Sequence, residues 1–429
     1  MKNNKGITLV ALVVTIVVLL IFAGVSINLV LGDNGIVKKA QDAKTKSADA
    51  SQNDLKGMNS LVSEMESILN GSGNGGKTEP ETVPYLPSDD FHYDTSTSID
   101  TGLVIKDGKG NEYVWVVVPR TTAVYKTTGL GKTTFTDADY TSIEKDLKEY
   151  TKTYRGSTSY SDTYAADDKN VGWFADATAY NNLKKSMLKS VYENGGFYVG
   201  RYEAGIDTKT GTNRTRNTDK NSDGKYTMPS TAPVTKADAY PYTCVTRTQA
   251  QNLASNVNSG DKKSSLMFGV QWDLVLAFMS KDTAKITSTE DLTKNSTTIG
   301  NYSDSVFQLS QTGKYATFSD WNLSSTWNPS TTAITNFVDS SRNKIVQSSD
   351  VNGILVTTGT SEKNKVMNIY DIAGNVWEYT LEKTSNTDNP CAVRGGDFRT
   401  TGSNTPAAHR GVFSPDYSYL SAGFRVSLF

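Results

Sequence analysis

The sequence predicts an α+β domain over residues 85–429, preceded by one long apolar helix. Three observations predict it. Segments of period-two character, such as GFYVGRY and GFRVSLF, read as strands. Other segments place their apolar residues at helical spacing. Ahead of both, residues 7–32 contain no charged side chain, and residues 71–84, GSGNGGKTEPETVP, join helix-stopping glycines to stiffening prolines, which marks a linker.

The leading residues 1–6, MKNNKG, are polar and positively charged. Residues 7–32, about 26 residues at about 1.5 Å each, reach nearly 40 Å as a helix, enough to cross a bilayer with some tilt. Lys2 and Lys5 on the short leading side favour a cytoplasmic N-terminus, with everything after residue 32 outside the cell membrane. A cleavable signal peptide is the alternative, although its apolar core would be shorter and end in small residues. Residues 33–70 continue as a helical stalk, with Ile36, Val37, Ala40 and Ala43, then Leu55, Leu61, Val62, Met65, Ile68 and Leu69, at helical spacing. KGITLVALVVTIVVLL resembles the N-terminus of type IV prepilins and pseudopilins. That resemblance implies cleavage after Gly6 and methylation of Ile7. It departs at Ala11, where the family usually carries a glutamate that pairs with a neighbouring subunit. Anchoring is therefore retained, and assembly with pilin-like subunits is left open.

Within residues 85–429, TGLVIKD and EYVWVVVP flank GKGN as a hairpin whose second strand carries Trp115. Residues 121–170 read as long polar loops with one short helix near residues 143–150. A helix follows over residues 179–192, with Leu183, Met187, Leu188 and Val191 inward, and ENGG ends it. After the GFYVG strand, Thr246 caps a second helix. FGVQWDLVLAFM then places Trp272, Val275, Leu276 and Met279 on one helical face. Residues 281–350 read as polar loops in which Trp321 and Trp327 serve as anchors rather than ligand stackers.

The last part of the chain consists of two rigid blocks around a soft one. DIAGNVWEYT suits a tight turn running into a buried strand with Trp377 as anchor, and GFRVSLF reads as a half-buried strand. Between them stand Arg394, Gly395 and Gly396, then a run with almost no periodicity. GNVWEY, RGG and GFRVSLF, with Tyr202 and Glu203 upstream, resemble the formylglycine-generating-enzyme-like family, which has a C-type-lectin-type fold. More narrowly, RGGDF, TGSNTPAAHR and GFRVSLF resemble the variable region of proteins diversified by retroelements. There, randomised adenines turn AAY codons into NNY and never encode Lys, Glu, Gln, Met or Trp. Residues 394–429 contain none of these five. At roughly one in six elsewhere, on the order of six would be expected from composition. The resemblance implies a ligand-contacting face made of Asp397, Arg399, Thr400, Thr401, Thr405, His409, Val412, Phe413, Asp416, Tyr417, Tyr419 and Leu420. Arg394, Gly395, Gly396, Phe424 and Arg425 would hold it. Without the resemblance the run reads as an ordinary exposed loop.

The formal net charge is -1, with no strongly basic half, which gives no electrostatic reason to expect nucleic acid. Family enzymes bind copper through a close cysteine pair, and related ones bind iron through a histidine cluster. This chain has only His92, His409, Cys244 and Cys391, so neither copper nor iron is expected, and neither is catalysis. The two cysteines read as free, partly buried thiols, with a disulfide as the alternative. The family resemblance implies a structural calcium site at Asp371, Gly374, Val376 and Glu378. The alternative is a buried salt bridge from Glu378 to an arginine. DKNSDG, with Asp219, Asn221 and Asp223 before Gly224, resembles the opening of a calcium loop but lacks its closing acid, and reads as a polar turn.

The expected function is a bacterial surface protein that binds a protein or glycan on another cell or phage. The alternative is a minor pilin or pseudopilin, and more remotely an oxidase of the formylglycine-generating type.

Overall fold

The hairpin forms where the sequence places it. Val104–Lys106 pairs antiparallel with Glu112–Val117, and the Asp107 carboxylate closes the turn by accepting from the amides of Lys109 and Asn111. This computed structural model describes residues 84–429 except 157–159, 167–172, 208–227, 320–321, 324–326, 330–336 and 347–352. The expected apolar helix and stalk, Gly6, Ile7, Trp321 and the turn expected at Asp219–Gly224 lie outside the described residues. The chain divides into two compact units, Met1–Gly75 and Gly76–Phe429, and the described residues all belong to the second. Among them no helix is long and apolar enough to cross a membrane.

The hairpin extends into a six-stranded antiparallel sheet in the order His92–Tyr93, Val104–Lys106, Glu112–Val117, Gly196–Gly200, Val426–Leu428, Ser264–Leu266. Trp115 stands opposite Tyr198, and their rings meet edge-on at 4.9 Å. A second sheet carries the C-terminal blocks. Arg410–Phe413 forms its edge, followed by Cys391–Arg394, Trp377–Thr384 and, in parallel, Ala422–Phe424. Tyr160–Ser161 pairs with the far end of Trp377–Thr384. A smaller sheet joins Lys314–Ser319 to Asn322–Leu323, Asn328–Pro329 and Ile354–Val356.

Helices start where polar side chains satisfy their first amides. Asp176 caps Ala177–Asn194, and Gly195 ends it in the left-handed conformation. Thr246 and Gln249 form a reciprocal capping box on Arg247–Ser255. Gly269–Met279 is buried on all sides, not on one face. It packs against Asp137–Tyr150, Lys152–Arg155, Glu112–Val117 and Trp377–Thr384, so its one charged residue, Asp273, is carried into the core.

Three expectations need correction. The short helix near residue 143 is the 14-residue Asp137–Tyr150, because Thr136 and Asp139 form a capping box six residues further upstream than its apolar residues suggest. Residues 281–350 are not loops throughout, since Lys314–Ser319 is the central strand of the small sheet. GFRVSLF is not one half-buried strand. Ala422–Phe424 and Val426–Leu428 belong to different sheets, and every residue of 421–429 is buried because Arg425 turns the chain from one sheet to the other. Both cysteines are unbridged, and both are fully buried.

Gly396 shows how tightly the stretch after Arg394 is seated. Its φ is +80°, and an added Cβ would lie 2.5 Å from the Thr405 carbonyl oxygen. Gly396→Ala is expected to lower unfolding free energy by about 2–4 kcal/mol, from backbone strain and overpacking together. Urea unfolding of the purified protein measures this, and a change within error of zero would mean that the turn relaxes freely.

Candidate functional site

Two buried charge networks hold the C-terminal segment. In the first, Arg425 has no exposed surface. Its Nε lies 3.1 Å from both Glu378 oxygens and its Nη2 2.6 Å from Oε1. Its remaining donors reach the carbonyls of Gly200, Tyr370 and Asp371 at 3.0, 2.9 and 3.2 Å. One guanidinium thus ties Trp377–Thr384 to the strand at residue 200 and to the Tyr370–Asp371 turn. Two further carboxylates sit nearby. Asp371, held in the left-handed region with φ 57°, accepts from the Gly359 amide, and burial pushes its carboxyl up to about 6. Glu203 accepts from Asn375 Nδ2 at 2.7 Å, and burial first, then the Asp371 charge, hold its carboxyl well above the usual range.

These positions test the calcium expectation. The Glu378 carboxylate already receives three contacts from Arg425, and the Asp371 carboxylate accepts from the Gly359 amide. A hard cation requires several oxygens converging on one point, whereas here a guanidinium converges on Glu378. In this arrangement Glu378 makes the buried salt bridge to an arginine, Arg425, that was the alternative to the calcium reading. Among the described residues no three His, Cys, Asp or Glu side chains are grouped to hold a metal.

The second network lies under the edge strand. Asp273 accepts from Arg394 Nη2 at 2.9 Å, from Arg410 Nη2 at 2.9 and 2.8 Å, and from Arg155 Nη1 at 3.0 Å. Arg410 Nε also reaches both Glu382 oxygens, at 3.2 and 3.0 Å. Arg394 lies 5.3 Å from the Trp272 ring centroid and donates through Nε to the His409 carbonyl, at 3.2 Å. Sequence reasoning assigned Arg394 to the scaffold; the structure supplies its partners.

On this frame the proposed contact residues separate into two sets. Asp397, Thr405 and Leu420 are buried, which corrects their assignment to the face. Asp397 binds Arg399 through Nε and Nη2 at 2.9 and 2.7 Å, Thr405 bonds Thr400, and Leu420 packs with Cys244, Leu355, Val376 and Phe398. Each satisfies or fills the interior beneath the loop. Arg399, Thr400, Thr401, His409, Phe413, Asp416, Tyr417 and Tyr419 are partly exposed, and Val412 is exposed.

The partly exposed rings of His409, Phe413, Tyr417 and Tyr419 are joined into one strip through the buried ring of Trp377. His409 lies 5.6 Å from Trp377, Trp377 6.2 Å from Phe413, Phe413 stacks on Tyr417 at 3.9 Å, and Tyr417 lies 5.9 Å from Tyr419. Arg399 closes the strip, 5.3 Å from the Tyr419 ring. Tyr379 supports it, 6.0 Å from Phe413, with its hydroxyl donating to the Tyr417 carbonyl. Its spacing of two from Trp377 on one strand is the sequence signal that would have found it. Burial first, and then Arg394 and Arg410, hold the His409 imidazole below its ordinary range, which favours the neutral ring.

Next to His409 opens a cleft of about 410 Å³ lined by Tyr154, Arg155, Tyr160, Thr293, His409 and Arg410 among others. Sequence reasoning missed its Arg155 side, because residues 121–170 offered no sustained pattern.

A mixed α/β scaffold with a buried arginine–carboxylate frame and an outward aromatic strip is the class of protein that this fold and site define. The chain belongs to the FGE-sulfatase family, the sulfatase-modifying factor enzyme 1-like domain, whose family model matches residues 94–428. Among solved structures it is similar to PvdO from Pseudomonas aeruginosa, at 13% identity over 55% of this chain and 81% of that one, with a TM-score of 0.25. It is also similar to Treponema denticola variable protein 1, at 10% identity over 83% of this chain and 99% of that one, with a TM-score of 0.22. No curated protein matches the chain.

Proposed function

We propose that this chain is a ligand-binding protein displayed at a bacterial cell surface, held by its N-terminal apolar helix and presenting a contact face that a retroelement diversifies. The observation that carries the reading is the strip from His409 through Trp377, Phe413, Tyr417 and Tyr419 to Arg399, supplied mostly by residues 394–429. Tyr and Phe offer rigid contact area at low entropic cost, while Thr, Ser, Asn and Asp adapt their hydrogen bonds. Beneath it the backbone is tied by Arg394, Arg410 and Arg425, so outer side chains can change without loss of the frame. The absence of Lys, Glu, Gln, Met and Trp from residues 394–429 supports diversification. The partner is a protein or glycan on another cell or phage. Binding rather than catalysis is the role proposed.

The test is to sequence the gene's 3′ end across a population, together with its neighbourhood. Variation at adenines is expected in the codons of the partly exposed positions, with Arg394, Gly395, Gly396, Phe424 and Arg425 constant and a near-repeat beside a reverse-transcriptase gene. An invariant 3′ end flanked by pilus-assembly genes would replace this reading with that of a minor pilin or pseudopilin.

A further inference from the structure

The cleft beside His409 carries more cationic than anionic groups. Arg155 and Arg410 line it, with Arg394 behind them and the buried carboxylates of Asp273, Glu382 and Asp162 beneath. Arg410 spends its donors on both acids and on the carbonyls of Tyr154 and Arg155. Arg394 is fully buried, yet its Nη1 makes no hydrogen bond and stands 3.7 Å from Glu382. Arg155 lines the cleft with its side chain 17% exposed. It bonds Asp273 through Nη1, while its Nη2 is 3.9 Å from Glu382, beyond hydrogen-bond reach. Arg155 is the most exposed of the three guanidiniums, and it meets the opening with an Nη2 that bonds neither Asp273 nor Glu382.

The surroundings repeat this bias. An adjoining cleft shares Arg155 and Gly156 and bears Lys126, Lys145, Lys148 and Lys152 against Glu144, Asp146 and Glu149, on a chain whose net charge is -1. Such a field draws an anionic ligand toward the opening. The cleft's about 410 Å³ falls at the lower end of small-ligand sites, enough for one ring-sized residue. Its walls offer the rings of Tyr160 and His409 and the hydroxyls of Thr153 and Thr293, which suit a polyhydroxylated ring. An aspartate or glutamate side chain would leave most of that space unfilled.

We propose that this cleft receives a carboxylate-bearing sugar residue of an acidic glycan, with Arg155 pairing its carboxylate and the rest of the glycan leaving past His409 onto the aromatic strip. The proposal rests on the binding reading above and names the ligand class for one end of the same face. His409 is the hinge between the two, because it lines the cleft and also lies against Trp377.

The full-length protein, in detergent, is titrated with glucuronic, galacturonic and N-acetylneuraminic acids, with glucose and galactose as neutral counterparts, and with acetate and inorganic phosphate. Saturation-transfer NMR and calorimetry report binding. Saturable binding of at least one sugar acid is expected, with its neutral counterpart silent. Arg155→Gln should weaken that binding tenfold or more, and Arg155→Lys less so. If Arg155→Gln fails to fold, Tyr160→Ala tests the same cleft from its opposite wall. Failure of every acid to saturate, an unchanged affinity in both variants, or acetate and phosphate binding as tightly as the sugar acids would overturn the proposal. A negative panel alongside 3′-end variation removes the subsite alone; an invariant 3′ end removes the wider reading.

Discussion

Arg425→Met is expected to destabilise the domain by about 3–5 kcal/mol, because it strands a buried carboxylate. Arg425 is the cation bonded to Glu378, and it also satisfies three carbonyls. Methionine fills much of the volume but replaces none of these bonds. Glu378 is left facing Asp371 and Glu203, whose carboxyls are already pushed up by burial.

The sign of the pH dependence follows. A carboxylate whose folded pKa is raised contributes stability that is present below its unfolded pKa and lost as pH rises through the folded one. For Asp371 in the native protein this window runs from the ordinary 3.8 to about 6. Removing Arg425 pushes Glu378 further up as well, so the deficit of the variant grows as pH rises and is smallest in acid. Urea unfolding of both proteins at pH 5 and pH 8 measures this. A deficit below about 1 kcal/mol, or one that does not change with pH, would show that water or another donor reaches Glu378.

Asp273→Asn is expected to cost a similar amount, about 3–5 kcal/mol, for the opposite reason: it strands cations. Asp273 is the one carboxylate bonded by Arg155, Arg394 and Arg410 together, and Asn offers a single acceptor oxygen without charge. Glu382 then faces the three guanidiniums without the Asp273 charge. The Asp273→Asn, Arg394→Met double variant should lose less than the sum of the single losses, since removing Arg394 relieves part of the repulsion. Strict additivity in denaturant unfolding would show that the two residues are energetically separate and that the frame beneath the strip is not a unit.

Some of this was readable in advance. The hairpin at residues 104–117, the Thr246 cap and the glycine stop after residue 194 each depend on residues close in sequence, and each lies where its local signal points. Arg394, Gly395, Gly396, Phe424 and Arg425 were assigned to the scaffold, and all five are buried. The division of residues 397–420 into buried and exposed positions was not readable. Asp397 and Thr405 are polar and short, and nothing local distinguishes them from Thr400 or Asp416, yet they are buried against Arg399 and Thr400. Asp273 had a signal that went unused, because a lone acid inside the apolar run FGVQWDLVLAFM predicts a buried partner.

From the sequence alone came the α+β class, the blocks that frame residues 394–429, the helix caps and the family resemblance, because these depend on local periodicity, turn chemistry and short motifs. Tertiary structure alone decided which guanidinium meets which carboxylate. Arg425 pairs across 47 residues, while Arg394 and Arg410 reach Asp273 across 121 and 137. It also decided that the partly exposed rings of His409, Phe413, Tyr417 and Tyr419 come together over the buried Trp377. The physical reason is that ion pairing and burial depend on distance in space, which a chain of alternating patterns does not specify until its sheets have packed.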